Sequence, residues 1–85
     1  MTASRNVAVD LLQARKDAML LFWSGTRGEQ PTEPITVVRA AELAEVGRRT
    51  WQRWEARGSL PRAAYARFLR RVAEEAKARA AACSS

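Results

Sequence analysis

An all-α fold, a small bundle of four to five helices, is predicted by three features of this 85-residue sequence. Apolar residues recur at the i, i+3, i+4, i+7 spacing that gathers them on one side of a helix. No stretch of useful length alternates apolar with polar residues as a half-buried strand does. Glycine and proline punctuate the chain at Gly25 to Pro34, at Gly47 and at Gly58 to Pro61, so the helical segments have marked ends. A chain this short builds one modest core and encloses no large substrate cavity, which makes residues 1–85 a single domain.

The first helix is expected from about Ser4 to Trp23. Val7, Ala8, Leu11, Leu12, Ala18, Met19 and Phe22 fall near helical spacing, with Arg5, Gln13, Lys16 and Asp17 on the other side. A loop follows over residues 24–35, where SGTRGEQPTEP carries turn residues that cannot continue a helix. Thr36 stands at an N-cap position before VVRAAELAEV, a short second helix with Val37, Ala40, Ala41 and Ala44 on one side. Gly47 interrupts it. RRTWQRWEAR then forms a third helix, which Gly58 closes at a C′ position. Ser59 and Pro61 open a C-terminal helix over 59–82, with Tyr65, Phe68, Leu69, Val72, Ala73 and Ala76 as its apolar stripe.

Several function classes are excluded by what the sequence lacks. There is no histidine, and the single cysteine, Cys83, has no partner for a disulfide. A catalytic triad, a Cys-His pair and a zinc site all lack their materials, so no enzyme activity, metal or cofactor is expected. With 47% apolar residues and 28% charged ones, the composition is that of a globular chain. No uninterrupted apolar run approaches the roughly 18 to 20 residues that span a bilayer. The N-terminal segment lacks the compact apolar core of a secretory signal, because Asp10, Gln13, Arg15 and Lys16 interrupt it; a cytoplasmic, nucleoid-associated protein is expected.

Charge is concentrated. Residues 1–47 carry five basic and six acidic side chains, and residues 72–85 carry two of each. From Arg48 to Arg71 there are eight arginines and one acid, Glu55, a net of +7 in 24 residues. A block of this kind is the electrostatic footprint of a protein that meets a polyanion. Arginine also makes bidentate contacts to phosphate and to guanine edges that lysine does not.

Two short helices joined by about four residues, the second opening with arginines, have the organisation of a helix-turn-helix. AAELAEVGRRTWQRWEARG resembles the helix-turn-helix of the Cro and lambda-repressor-like family of small phage and plasmid repressors. It matches without gaps the pattern A-A-E-L-L-G-V-S-R-R-T-V-Q-R-W-E over Ala40 to Glu55. The resemblance implies that Ala41 is the small residue where the two helices touch and that Val46 is the apolar residue of the turn. It likewise makes Trp51 the buried residue midway along the recognition helix, and Trp54 with Glu55 the Trp-Glu pair that closes it. The chain departs from the family in two places. Glu45 stands where the turn commonly has glycine, so either Glu45 takes a left-handed conformation or Gly47 assumes the turn's special dihedral. Gly47 stands where serine or threonine commonly caps the recognition helix. Residues 1–34 have no counterpart in the resemblance.

On a helix begun near Arg48, Trp51 and Trp54 share one side with Val46, while Arg48, Arg49, Gln52 and Arg53 spread over the other. Those four are the candidate base readers, since arginine pairs with guanine O6 and N7, and glutamine with adenine N6 and N7. Thr36, Arg39, Thr50, Arg57 and Arg62 are the candidate contacts to the DNA backbone, with Thr36 equally readable as a plain N-cap. Arg67, Arg70 and Arg71 read as the solvated face of the last helix.

The function expected is that of a sequence-specific transcriptional repressor on double-stranded DNA. One small domain contacts too few base pairs for a unique site, so a homodimer on a partly palindromic operator is expected. Its contact surface is either the end of the first helix, Leu20 to Trp23, or the stripe of Tyr65, Phe68, Leu69 and Val72, with the C-terminal region favoured. No membrane contact and no small-molecule effector are expected. Two rivals remain: an antitoxin-like or adaptor module that grips a protein, and a sequence-nonspecific nucleic-acid binder.

Overall fold

The computed structural model describes residues 6–24 and 33–84. Ser4, Arg5, residues 25–32 of the expected loop and the side chain of Cys83 lie outside the described residues. The described chain is mostly helical, in the order β1 (Asn6–Ala8), α1 (Leu11–Ser24), α2 (Val37–Leu43), α3 (Arg48–Arg57), β2 (Ser59–Pro61) and α4 (Arg62–Ser84).

The four helices of the described residues agree with the expected helical class, and two three-residue strands, outside that expectation, are added to it. They pair antiparallel, Asn6 with Pro61, Val7 with Leu60 and Ala8 with Ser59. The first helix therefore begins at Leu11 and not near Ser4. Asp10 decides this: its Oδ1 accepts the Gln13 N–H at 3.1 Å and its carbonyl accepts the Ala14 N–H at 2.9 Å. An aspartate at an N-cap followed three residues later by glutamine is a helix-start signal, and it outweighs the apolar spacing that continues upstream. Val9 N–H then donates to the Gly58 carbonyl at 3.1 Å, fastening the entry of α1 to the exit of α3.

The last helix is corrected at both ends. Ser59 to Pro61 are extended, because Leu60 is wholly buried from the strand and Pro61 disfavours helical backbone in the residue before it. From Arg62 the helix continues through Ser84, beyond the expected end at 82. Its buried arc also differs from the expected stripe. Ala64, Phe68 and Val72 are buried at i, i+4, i+8 spacing; Tyr65 and Ala76 are half-buried; Leu69 and Ala73 are exposed. On α1 the corresponding residues are Leu11, Ala18 and Phe22, with Leu12 left at the surface.

The core is one cluster. α1 packs along α4, α2 packs on α3 and α4, and the sheet seals the end near Leu60. Trp51 is fully buried at its centre, its ring 5.1 Å from Phe68 and 6.1 Å from Trp54, the latter edge-on. Both α1 and α4 thus complete the core of a single chain. Among the described residues, no helix is long and apolar enough to cross a membrane.

Between α2 and α3 lies a tight turn. Ala44 N–H returns to the Ala40 carbonyl at 3.0 Å, and Val46 N–H to the Ala41 carbonyl at 2.9 Å. Glu45 takes the left-handed conformation, φ 61°, while Gly47 is extended at φ −75°, ψ 157°. Of the two ways the turn was open to form, the one that strains a β-carbon is adopted. Arg67 of α4 meets that strain from outside: its Nε donates to the Ala44 carbonyl at 3.3 Å and lies 3.8 Å from the Glu45 carboxylate. Arg67 is therefore a clamp on the turn, not a freely solvated cation.

Candidate nucleic-acid interface

α3 separates its residues by side. Trp51 and Trp54 are buried, Val46 before the helix is half-buried, and Ala41 of α2 is buried where the two helices meet. Arg48, Arg49, Gln52, Arg53, Ala56 and Arg57 are exposed, and Thr50 is half-buried at the boundary. Arg48, Arg49, Arg53, Arg57 and, at the start of α4, Arg62 make no ion pair among the described residues. Their charge is uncompensated by neighbours.

The helix ends add to this. Gly47 is the N-cap and supplies no side-chain hydrogen bond, and the first turn holds two arginines and no acid. The N–H groups of a helix start carry positive potential, which Arg48 and Arg49 reinforce, so an anion is favoured at this end. At the other end Gly58, φ 78°, closes α3 by donating its N–H to the Trp54 carbonyl at 2.8 Å. Arg57 in the last turn is favourable to the helix itself.

Glu55 is the one acid on α3, and it is turned inward. Its Oε1 accepts the Trp51 indole N–H at 2.8 Å and lies 2.7 Å from Arg15 Nε. The latter contact is an ion pair without an aligned hydrogen bond. With Glu55 neutralised on the inner side, the exposed surface of α3 is wholly cationic or neutral.

The candidate backbone contacts on α2 are occupied within the chain. Thr36 is exposed and acts as the N-cap, its Oγ1 accepting the Arg39 N–H at 3.1 Å. Arg39 pairs with Glu42 at 3.2 Å and with Glu75 of α4. The Glu75 hydrogen bond holds the Arg39 guanidinium pKa above its usual value; burial opposes this and Glu42 adds to it. Glu75 also takes Arg79 at 3.5 Å, and Arg79 lies 4.9 Å from the centre of the Phe22 ring. Arg39 is therefore a strut between α2 and α4, whereas Arg62 and the α3 arginines have no ion pair among the described residues. Arg70 and Arg71 are exposed on α4.

Reading the sequence by periodicity misses Arg15, Asp10 and Glu75. Asp10 carries a local signal, its spacing to Gln13. Arg15 carries none for Glu55, 40 positions away, and the i,i+4 spacing of Glu75 to Arg79 gives no sign of Arg39, 36 positions away. The chain matches no family model, no curated protein and no solved structure.

Proposed function

We propose that this protein is a helix-turn-helix DNA-binding protein, a transcriptional repressor that reads double-stranded DNA with α3 in the major groove. The observation that carries the reading is the division of α3. Arg48, Arg49, Gln52 and Arg53 are outward, the three arginines without an ion pair among the described residues, the tryptophans are inward, and the one acid is withdrawn to Arg15. Arginine and glutamine are the side chains that pair bidentately with guanine and adenine, and the first turns of such a helix are what reach base edges. Thr50, Arg57 and Arg62 border that surface and supply phosphate contacts, which position the helix without carrying sequence.

The repressor acts as a dimer on a partly palindromic operator, two half-sites about 34 Å apart. Of the two surfaces, the end of α1 offers Leu20 and Leu21, while α4 offers Leu69 beside Tyr65, Ala73 and Ala76. The α4 flank is favoured because these exposed and half-buried positions recur along one side of a 23-residue helix. Occupancy of the operator excludes polymerase, and protein concentration sets the level of repression. The site of action is the bacterial nucleoid.

Binding titrations on matched and scrambled duplexes across a salt series test this. A repressor keeps a preference of about a thousandfold or more for its site. Equal affinity for both duplexes, falling together with salt, makes the protein a nonspecific binder. No DNA binding, together with capture of a protein partner, makes it an adaptor. Footprinting on DNA flanking its own gene locates the operator.

A further inference from the structure

Arg15 touches both sides of the α2–α3 unit. Its Nη1 donates to the Ile35 carbonyl at 3.0 Å, two residues before α2 begins. Its Nε pairs with Glu55 at 2.7 Å, two residues before α3 ends. The backbone adds a third tie, Ile35 N–H to the Arg15 carbonyl at 3.3 Å. The side chain is 14% exposed, so its hydrogen bond and its ion pair are made largely out of water. A guanidinium is planar, and its N–H directions are fixed relative to one another. Held by a hydrogen bond to the Ile35 carbonyl and by the charge of the Glu55 carboxylate, it ties the segment entering α2 to the far half of α3. Glu55 passes the constraint on, because the same carboxylate oxygen holds the Trp51 indole.

We propose that Arg15 is a positioning residue for base reading: from α1 it fixes the angle at which α3 presents Arg49, Gln52 and Arg53. The inference rests on the reading of α3 as a DNA-recognition helix and extends it by giving α1 a part in sequence discrimination. Bidentate contacts to base edges demand placement within about half an ångström and 10 to 20°. Contacts from long arginines to phosphates tolerate more. Releasing Arg15 therefore weakens the choice between sequences more than it weakens attachment to DNA.

The test uses the full chain, a duplex selected by that chain from a random pool, and a scrambled duplex of equal length. Arg15→Met keeps the length and packing of the side chain and removes the hydrogen bond to Ile35 and the ion pair with Glu55. Arg15→Lys keeps the charge beside Glu55 without the fixed fork. For Arg15→Met, the preference for the selected duplex falls about tenfold or more, while affinity for the scrambled duplex stays within about twofold. The Trp51 indole N–H resonance moves, and Arg15→Lys recovers part of the preference.

The proposal is overturned if folded Arg15→Met discriminates as well as the unmodified chain. It is equally overturned if affinity for both duplexes falls together in step with the folded fraction. Should Arg15→Met not fold, Arg15→Lys and Glu55→Gln decide, since each must lose preference beyond its loss of folded protein. If the unmodified chain shows no preference at all, the base-reading function itself is wrong, and the Arg15 proposal falls with it. In that case the shift of the indole resonance still reports the Arg15–Glu55–Trp51 linkage, so the two failures are distinguishable.

Discussion

Arg15 of α1 and Glu55 of α3, 40 positions apart in sequence, meet at 2.7 Å, and Glu55 holds the indole of the most buried tryptophan in the same grip. The pair is partly buried, with side chains 14% and 25% exposed. Its worth lies between the fraction of a kcal/mol of a surface pair and the several kcal/mol lost when one partner of a buried pair is removed. Glu55→Ala is expected to destabilise the fold by about 1 to 3 kcal/mol, since it strands both the guanidinium and the indole N–H. Glu55→Gln keeps an acceptor for Trp51 and should cost less. Urea denaturation followed by tryptophan emission gives both values, and equal losses would show that the indole bond adds nothing.

Trp51 contributes by packing. With its ring between Phe68 and Trp54 and no exposed surface, Trp51→Ala should cost roughly 3 to 5 kcal/mol, enough to unfold much of so small a domain. Circular dichroism at 25 °C reads the outcome. An unchanged melting curve would mean that the inward side of α3 is misassigned.

At the turn, Glu45 holds φ 61°, a conformation that costs a residue with a β-carbon about 1 kcal/mol and glycine almost nothing. Its ion pair with Arg67, at 3.8 Å and half-exposed, returns only a few tenths of that. Glu45→Gly is therefore expected to stabilise by about 0.5 kcal/mol, whereas Gly58→Ala, at φ 78°, should destabilise by about 1 kcal/mol. A thermal melt of the two variants should move in opposite directions.

On the exposed side of α3, Arg49→Ala and Gln52→Ala remove no packing and should leave stability within about 0.5 kcal/mol. Each is expected to relax discrimination at its own base pair by about 1 to 3 kcal/mol. Selection of duplexes from a random pool by each variant displays this as one degenerate position. A uniform loss across all positions would mark the residue as a phosphate contact instead.

Leu69, 47% exposed on the α4 flank, is the centre of the favoured dimer surface. Leu69→Asp should shift the sedimenting species to monomer and weaken binding to two half-sites, with little change on one half-site. A variant that remains dimeric would move the interface to Leu20 and Leu21 on α1.

Much of α3 is readable from its residues alone. Ten positions at 3.6 per turn leave two tryptophans no choice but one side and the arginines no choice but the other, and Gly58 supplies the left-handed residue a helix end needs. Thr36 is likewise legible, because a cap is a bond between neighbours. The sheet is not. Asn6–Ala8 and Ser59–Pro61 are each too short to show alternation, and each is extended because the other is beside it.

The same distinction separates what the sequence determined from what the tertiary structure decided. Helical period, caps and the block of arginine are local, and they establish the helices, the sides of α3 and the concentrated positive charge. Where Glu55 points, which arginines stand free and which are spent on Glu75, Glu42, Glu45 or Ile35, and where α1 begins all depend on partners brought together by packing. A charged side chain has no intrinsic direction along the sequence; it takes one only when burial makes an unpaired charge costly and a distant chain segment supplies the counterion.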